Sequence, residues 1–305
     1  MMKKTLLKEQ LLMIILAFAS TLASMACGGD SKETTDPEPV QPKNTAIIAT
    51  FNLRYNNAAD GVNAWPNRKQ MVADVIKNQK FDIFGTQEPY YDQLTDLKGL
   101  LPDYNYLGRS RTNETNSGEF VPIFYHKDRI EILESDQFWL TDAEDKSVPS
   151  IGWDAGSPRI CTWAKVRHKV LDKVFYVFNV HYAHDGSEAR MESTKLMMQE
   201  VPRIAQGYPY FLLGDFNYDQ NSAPYQHLLT SPDLVDTYKI TKRNINGNRG
   251  TLNSFNPNST STSRIDHIFV NKNNTPTIHR HQIITDSFSG RTPSDHFPVL
   301  VEVEF

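Results

Sequence analysis

Short apolar segments that end in polar side chains recur along this chain from residue 45 onwards. Such runs are typical of buried β-strands, and the longer amphipathic segments between them are typical of helices. Strands are predicted at residues 45–55, 81–85, 119–126, 130–140, 160–166, 174–182, 210–214, 264–270 and 298–305. Helices are predicted at residues 67–79, capped by Asn67, and at residues 91–101 and 188–205. Residues 119–126 and 130–140 are expected to pair as neighbouring strands, and so are residues 160–166 and 174–182.

The alternation of strands and helices predicts an α/β fold for residues 45–305. Hydrophobic residues make up 39% of the chain and charged residues 22%, which is a globular composition rather than a disordered one. No stretch rich in Pro, Gly and Ser follows residue 44, so residues 45–305 are expected to form one domain. Because two strand-rich halves contain helices between their strands, we expect a four-layer α/β/β/α sandwich of two packed mixed β-sheets flanked by helices.

The N-terminal segment has the pattern of an export signal. Lys3 and Lys4 begin a basic stretch, and residues 11–26 are apolar or small and end directly before Cys27. Residues 1–26 are therefore predicted to be a signal peptide of the lipoprotein type, and the polar residues 27–44 a flexible tether. An ordinary signal peptide is the alternative. The lipoprotein interpretation predicts export to the bacterial cell envelope, with membrane attachment only through a lipid on Cys27, at the periplasmic face or the outer surface of the outer membrane.

Polar clusters interrupt the predicted strands at their ends, and those ends are expected to converge on one edge of a layered fold. Each cluster alone has an ordinary structural explanation, such as a turn or a helix cap. The clusters are residues 51–54, 87–89, 179–182, 214–217, 263–267 and 294–298.

The chemistry of these clusters favours phosphate ester hydrolysis. The carboxylate of Glu88 suits a hard cation such as Mg²⁺ or Mn²⁺. The sequence has no Cys-x-x-Cys pair of the kind that binds zinc, no Walker-type glycine loop and no Gly-x-Ser-x-Gly elbow. What remains is a carboxylate for a metal ion, amides that can hold phosphate oxygens, and histidines with carboxylates to orient them. That inventory fits metal-assisted attack of water on phosphorus.

The order of these motifs resembles the endonuclease/exonuclease/phosphatase superfamily, which has the deoxyribonuclease-like fold. The similarity covers nearly all of residues 45–305, and smaller features resemble a secreted bacterial branch of that superfamily. The resemblance implies a four-layer sandwich and hydrolysis of phosphate esters with a divalent cation, Mg²⁺ or Mn²⁺. The motifs that carry it are Asn52, Gln87-Glu88, Asn179-x-His181, Gly214-Asp-Phe-Asn217, Ile265-Asp266 and Ser294-Asp-His296.

The resemblance also implies which residues hold the metal ion. Glu88 would bind it with help from Asn52, which could also contact substrate, and Asp295 would stand near it. One position departs from the pattern: Arg54 stands where the abasic-site nucleases of the superfamily have a further acidic ligand. This departure favours branches similar to the secreted deoxyribonucleases and sphingomyelinases over DNA repair.

Catalytic roles are implied in the same way. Asp215 and Asn217 would position water and phosphate, and Asp266 would orient His296 towards the scissile phosphate or its water. His181 would stand opposite and protonate the leaving oxygen or stabilise its charge.

Several further residues have open roles. Arg109 is a candidate for binding the substrate, as is His184 because it is close to His181 in sequence. Arg111 could clamp a phosphate or simply be solvated. Glu119 could orient a histidine or lie in a polar turn, and Arg159 is expected to be a structural partner of a buried carboxylate.

Three functions follow as hypotheses. The first is a cell-envelope phosphoesterase that acts on a sugar or glycan phosphate or on a phospholipid headgroup. The second is an extracellular nuclease that cleaves DNA or RNA, and the third is a non-catalytic ligand-binding surface lipoprotein. The chain has a formal charge of −4, and its first 26 residues hold three lysines and one glutamate, so the remainder carries −6. That charge argues against a nuclease. Beyond a phosphate-ester substrate, no obligatory protein partner is expected, and the protein is expected to be a monomer.

Overall fold

The computed structural model describes residues 44–305, and their strands form two mixed β-sheets. The strands of the first sheet are β1 (Ala46–Asn52), β2 (Ile83–Gln87), β3 (Tyr104–Leu107), β4 (Ile123–His126), β10 (Asn244–Ile245), β12 (Thr277–Ile283) and β13 (Val299–Glu304). The strands of the second sheet are β5 (Ile130–Trp139), β6 (Ile160–His168), β7 (Lys173–His181), β8 (Tyr210–Asp215), β9 (Leu234–Asp236) and β11 (Asp266–Asn271). The orders across the sheets are β10-β12-β13-β1-β2-β4-β3 and β5-β6-β7-β8-β11-β9.

Helices connect these strands. The α-helices are α1 (Lys69–Gln79), α2 (Tyr91–Leu100), α3 (Ser187–Ala205), α4 (Ala223–Leu228) and α5 (Thr237–Ile240). Two short 3₁₀ helices, Ala58–Asn63 and Trp65–Asn67, precede α1. None of the helices among residues 44–305 has the length and apolar character needed to cross a bilayer.

Alternation along the strands produces the four layers. On β1, Ile48 packs against residues of β7 and β8 in the core between the sheets, whereas Ile47 and Phe51 pack with residues of α1 and α2. On β8, Leu213 lies in the core between the sheets, and Leu212 packs with residues of α3 and α4. Because successive side chains of a strand point to opposite faces, each sheet is covered on both faces. The predicted sandwich of two mixed sheets flanked by helices is confirmed.

The centres of the two sheets have the same arrangement. In the first sheet β1 runs parallel to β2 and antiparallel to β13, and in the second β7 runs parallel to β8 while β8 is antiparallel to β11. The carboxyl ends of β1 and β2 and the chain entering β13 therefore lie at one edge of the first sheet. The corresponding edge of the second sheet holds the ends of β7 and β8 and the start of β11.

Two local predictions are wrong. Residues 119–126 and 130–140 do not pair: β4 pairs with β2 and β3 in the first sheet, whereas β5 pairs with β6 in the second. The predicted pairing of residues 160–166 with residues 174–182 is confirmed as β6 with β7. Asn67 does not cap α1, because it belongs to a 3₁₀ turn and its side-chain amide donates to the Gly61 carbonyl, so the helix begins two residues later.

The predictions for the N-terminal segment lie outside the described residues. They are the signal peptide at residues 1–26, the lipid on Cys27 and most of the tether at residues 27–44.

Candidate active site

The amide of Asn52 links two carboxylates at the edge where the sheets meet. Its Nδ2 atom donates to Glu88 Oε1 at 3.0 Å and to Asp215 Oδ2 at 2.9 Å. Asn52 ends β1, Glu88 follows β2, and Asp215 ends β8, so the contact joins the two sheets. The other oxygen of Glu88 accepts from the backbone N–H of Tyr55 at 3.1 Å. The strand ends thus converge as the sequence predicted.

His296 is held by Asp266. Its Nδ1 atom lies 2.9 Å from Asp266 Oδ2, and both residues are buried. Burial opposes the charged imidazole, but Asp266, with the charges of Asp215 and Asp295, outweighs burial and raises the pKa of His296 well above its ordinary value. This shift favours the imidazolium form of His296, in which Nε2–H is available to the site.

His181 has a matching partner in Glu119. Its Nδ1 atom lies 2.9 Å from Glu119 Oε1, and the second oxygen of Glu119 lies 3.2 Å from Arg111 Nη1. Burial raises the pKa of Glu119, but the hydrogen bond and charge of His181, with Arg111 and Arg159 nearby, reverse this effect and lower it to about 2. The sequence leaves two roles open for Glu119, the orientation of a histidine and a place in a polar turn. Its contact with His181 favours the first.

Both histidines face the same oxygen of Asp215. The Nε2 atoms of His181 and His296 lie 3.8 Å and 3.9 Å from Asp215 Oδ2. The other oxygen of Asp215 accepts from the backbone N–H of Asn217 at 2.9 Å. Asn217 has a φ of +50°, and its Nδ2 atom donates to the carbonyl of Tyr182 at 3.0 Å, which fixes this side chain beside the end of β7.

A buried amide pair holds the sheets together beneath the site. Gln87 Nε2 donates to Asn179 Oδ1 at 2.6 Å, and Asn179 Nδ2 donates to the carbonyls of Thr86 and Pro122. Gly85 permits this contact, because a Cβ atom there would lie 2.4 Å from the Asn179 side chain. Within their motifs, the side chains of Gln87 and Asn179 are therefore structural supports of the site rather than parts of its open face.

Sequence reasoning missed Arg68, which holds the rim of the site in place. This fully buried side chain donates to the carbonyls of Leu53 and Arg54, which follow β1, and to the carbonyl of Pro293, which precedes the Ser-Asp-His motif. Burial lowers the pKa of Arg68 to about 10, so it stays charged at neutral pH. A single cation thus fixes two rim segments more than 200 residues apart. An arginine at the start of a predicted helix offers no sequence signal of that role.

Asp295 lies on the same rim, beside Arg54. The Arg54 Nε atom is 3.9 Å from Asp295 Oδ2, and the guanidinium also forms an ion pair with Asp60 at 3.1 Å. Burial raises the pKa of Asp295, against the opposing charges of His296 and Arg54. Its predicted place near a metal ion stays a prediction.

Arg109 and His184, two of the residues predicted to bind substrate, have different contacts in the structure. Arg109 is half-exposed and contacts Asp136 and the ring of Trp139; among residues 44–305 it makes no ion pair or hydrogen bond with the other predicted site side chains. His184 is exposed, and its Nδ1 atom lies 3.0 Å from Arg159 Nη2. Arg159 is 4% exposed, and its Nε and Nη1 atoms have no hydrogen-bond partner in the described part of the chain. The expected carboxylate partner of Arg159 is therefore not in direct contact, although Glu119 is near enough to share its field.

The residues present fit a divalent cation. Ligand atoms of Glu88, His181 and Asp215 lie within 4.8 Å of one another, and so do those of Asp215, Asp266 and His296. In the second group, His296 Nδ1 and Asp266 Oδ2 already contact each other. Glu88 is only half-buried and offers hard oxygen, which favours a Mg²⁺-type ion on the Glu88 side.

Comparison with known proteins identifies the family to which this fold belongs. Residues 49–296 match the Endonuclease/Exonuclease/phosphatase family. A mannosyl-6-phosphatase of Bacteroides thetaiotaomicron is 39% identical, with a TM-score of 0.81 over 85% of this chain and 100% of that one. An endonuclease/exonuclease/phosphatase from Bacteroides vulgatus is 35% identical, with a TM-score of 0.79 over 86% of this chain and 99% of that one. The chain belongs to the endonuclease/exonuclease/phosphatase family.

Two uncharacterized proteins of Acanthamoeba polyphaga mimivirus are more distant relatives. One is 27% identical over 58% of this chain, and the other is 24% identical over 48%. The matches span 66% and 26% of those proteins, so the chain corresponds to less than two thirds of each.

Proposed function

We propose that this chain is a divalent-cation-dependent hydrolase of phosphate monoesters and that its substrate carries the phosphate on a sugar or glycan. The observation that carries the proposal is the convergence of two carboxylate-held histidines on Asp215 beside Glu88. A Mg²⁺ or Mn²⁺ ion held by Glu88, with Asn52 and Asp295 nearby, would neutralise phosphate charge and polarise the scissile bond.

The other side chains have separate roles in the proposed reaction. His296, as an imidazolium, donates Nε2–H to a phosphate oxygen, and Asp266 keeps it charged and oriented. Asp215 and Asn217 position water and phosphate, since Asp215 lies between the two histidines. His181 is oriented through Nδ1 by Glu119, so its Nε2 atom can protonate the leaving oxygen.

Charge on the His181 side supports a monoester. Arg111 pairs with Glu119, whereas the buried Arg159 nearby has no carboxylate in direct contact among residues 44–305, so Arg159 leaves this wall with an excess of positive charge. A phosphate monoester is a dianion near neutral pH, whereas a diester carries one charge, so the excess favours the monoester. The similarity to a mannosyl-6-phosphatase supports a sugar as the group that carries the phosphate.

The nuclease hypothesis has weaker support. Carboxylates already pair with the arginines near the mouth, Arg54 with Asp60 and Arg111 with Glu119. A chain with an overall negative charge and neutralised arginines offers little to a phosphate backbone. The hypothesis of a non-catalytic binding protein is weaker still, because every residue of the predicted catalytic set is present.

A panel of substrates tests the proposal. Phosphate release is measured from mannose 6-phosphate, p-nitrophenyl phosphate, bis-p-nitrophenyl phosphate and sphingomyelin, and nicking is measured on plasmid DNA, each with Mg²⁺ and with EDTA. The proposal expects the highest kcat/KM for the sugar monoester and no turnover in EDTA. Preferential cleavage of DNA or of the diesters would replace it with the corresponding alternative.

We also propose that the protein acts at the bacterial cell envelope, anchored by a lipid on Cys27. The support is the basic and apolar pattern that ends at this cysteine. Fractionation of cells that make wild-type protein or Cys27→Ala tests it: the wild type is expected in membranes and the variant in soluble fractions, with equal specific activity. Soluble wild-type protein would exclude the anchor.

A further inference from the structure

Two tyrosines beside Glu88 take no part in the chemistry described above. Tyr55 follows β1 and Tyr90 lies two residues after Glu88, and their ring centroids are 5.5 Å apart. Tyr90 is 37% exposed, and the backbone N–H of Tyr55 donates to Glu88 Oε2 at 3.1 Å. The pair therefore lies at the mouth of the site, next to the carboxylate proposed to hold the metal ion.

The backbone beneath this pair is fixed by one buried side chain. Gln93, which is fully buried, accepts from the backbone N–H groups of Tyr90 at 3.1 Å and Asn56 at 2.7 Å. Its Nε2 atom donates to the carbonyl of Arg54 at 2.9 Å. Three hydrogen bonds from one glutamine thus lock the loop after β1 against the start of α2, so the two rings stand on a rigid frame.

A cation–π contact connects the pair to the rim of the site. The guanidinium of Arg54 lies 4.3 Å from the ring centroid of Tyr55, and two hydrogen bonds to Asp60 hold that guanidinium. Tyr55 therefore contacts both Arg54 and Tyr90. An exposed aromatic ring that is backed in this way loses little conformational entropy when a ligand covers it.

Tyr90 also reaches the opposite wall of the site. The carbonyl of Pro89 accepts from the backbone N–H of Phe120 at 2.9 Å, which places Tyr90 beside the segment that holds Glu119. Tyr90 is consequently close to both the Glu88 side and the His181 side. A leaving group attached to a phosphate between those two sides would extend over its ring.

We propose that Tyr90, backed by Tyr55, forms the floor of a subsite for the sugar ring of the leaving group. The inference rests on the proposed function and adds the residues that select the substrate. The C–H face of a pyranose packs on the electron-rich face of an aromatic ring. Two polar residues close to the tyrosines along the chain, Asn56 and the exposed Asp92, are hydrogen-bonded to each other at 2.6 Å and can accept from and donate to sugar hydroxyls.

Charge favours a sugar over a nucleobase here. Bases also stack on tyrosine, but nucleic-acid platforms accompany such rings with a basic groove for the backbone. The charged groups around this pair are Glu88, Glu119, Asp92 and Asp60, with Arg54 paired to Asp60 and Arg111 paired to Glu119. These carboxylates suit neutral hydroxyls and repel further phosphates.

Substitution of Tyr90 tests the subsite. Tyr90→Ala is expected to lower kcat/KM for mannose 6-phosphate about tenfold, mainly through KM, because the lost contact binds ground state and transition state alike. Hydrolysis of glycerol 3-phosphate, which has no ring, should stay within about twofold. Tyr90→Phe should retain wild-type values, since the ring face does the packing.

Tyr91→Ala is the matched control. Tyr91 is the next residue, is 39% exposed, and lies on the side of α2 near Tyr106. Its loss should leave both substrates within about twofold of wild type. Equal losses on the two substrates in Tyr90→Ala, or no loss on either, would overturn the proposal. A larger loss on deoxyadenosine 5′-monophosphate than on mannose 6-phosphate would assign the ring to a base instead.

The proposed function and the proposed subsite can be rejected independently of each other. If wild-type protein hydrolyses no monoester, the proposed function is wrong, and calorimetric titration of mannose 6-phosphate into wild type, Tyr90→Ala and Tyr91→Ala still decides the subsite. Binding that weakens about tenfold in Tyr90→Ala alone supports it. Binding that is absent in wild type, or equal in the three proteins, rejects it.

Discussion

The Nδ1 atom of His296 lies 2.9 Å from Oδ2 of Asp266. His296 precedes β13 of the first sheet, whereas Asp266 begins β11 of the second. The contact forms only when both sheets are packed, so it reports on the assembled sandwich. The same contact helps to raise the pKa of His296, whose Nε2 atom faces Asp215. The pair therefore connects the packing of the two sheets to the proposed chemistry.

The first prediction concerns this pair. Asp266→Asn and His296→Ala should each lower kcat on the order of 10²-fold or more, the scale of a positioned acid–base group. The double variant should lose little beyond the worse single variant, because the two residues act as one unit. Steady-state kinetics of all three proteins, with thermal melts to confirm folding, measure this coupling. Multiplicative losses would show that the residues act independently.

The second prediction distinguishes the role of His181 from the roles of the other proposed catalytic groups by comparing two leaving groups. A sugar alkoxide needs a proton as it departs, whereas p-nitrophenolate leaves without one. His181→Ala should therefore cost on the order of 10²-fold on mannose 6-phosphate and about tenfold or less on p-nitrophenyl phosphate. Glu119→Gln should show the same pattern with a smaller loss.

His227→Ala is the control for removal of a histidine, since His227 lies on α4 away from the site. It should leave both rates unchanged. Equal losses on the two substrates in His181→Ala would assign this residue to phosphate binding rather than to proton transfer.

The third prediction tests the metal ion without turnover. A cation that binds only the folded state stabilises it by about 2.7 kcal/mol at 100 times Kd, which raises Tm on the order of 5 °C. Mg²⁺ or Mn²⁺ should produce such a shift in wild-type protein, and EDTA should reverse it. Glu88→Gln should abolish the shift, while Glu114→Gln, which removes an exposed carboxylate, should retain it. A full shift in Glu88→Gln would place the cation elsewhere.

The polar ends of apolar strands made much of the site predictable. Asn52, Glu88, Asp215 and His296 all lie where a strand begins or ends, and parallel central strands bring such ends together. The supports were not predictable in this way. Gln93, for example, is a helical residue like any other in sequence, and its role depends on loop carbonyls and amides that only the fold brings to it.

The wrong pairing of residues 119–126 with residues 130–140 has a physical reason. Three residues separate β4 from β5, which is a hairpin length, yet the chain crosses there from one sheet to the other. The buried carboxylate of Asp82 holds the crossing: Arg129 Nε lies 2.6 Å from Oδ1, and His168 Nε2 lies 3.7 Å from Oδ2. Alternation along a strand identifies its faces, but it does not identify its partner.

The fourth prediction concerns acid stability. His281 is buried on β12, its ring centroid is 5.4 Å from that of Tyr238, and Nδ1 has no hydrogen-bond partner among residues 44–305. Burial lowers its pKa to about 4, with Asp236 opposing and Arg264 and His267 adding to the shift. Burial likewise lowers the pKa of His267 to about 4.

The sign of the pH dependence follows from linkage. Between about pH 6.5 and pH 4 the unfolded chain binds protons at these histidines and the folded protein does not, so the free energy of unfolding falls as the pH is lowered. Each histidine contributes up to about 1.4 kcal/mol per pH unit in that window, and nothing above it.

Urea unfolding in EDTA at pH 7.0, 6.0 and 5.0 should show this loss in wild-type protein. His281→Gln should lose less stability between pH 6.0 and 5.0 than wild type, whatever its stability at pH 7.0. His279→Gln, on the same strand but half-exposed and paired with Glu304 at 2.8 Å, controls for removal of a histidine. Parallel pH curves for wild type and His281→Gln would show that this buried imidazole titrates alike in the folded and unfolded states.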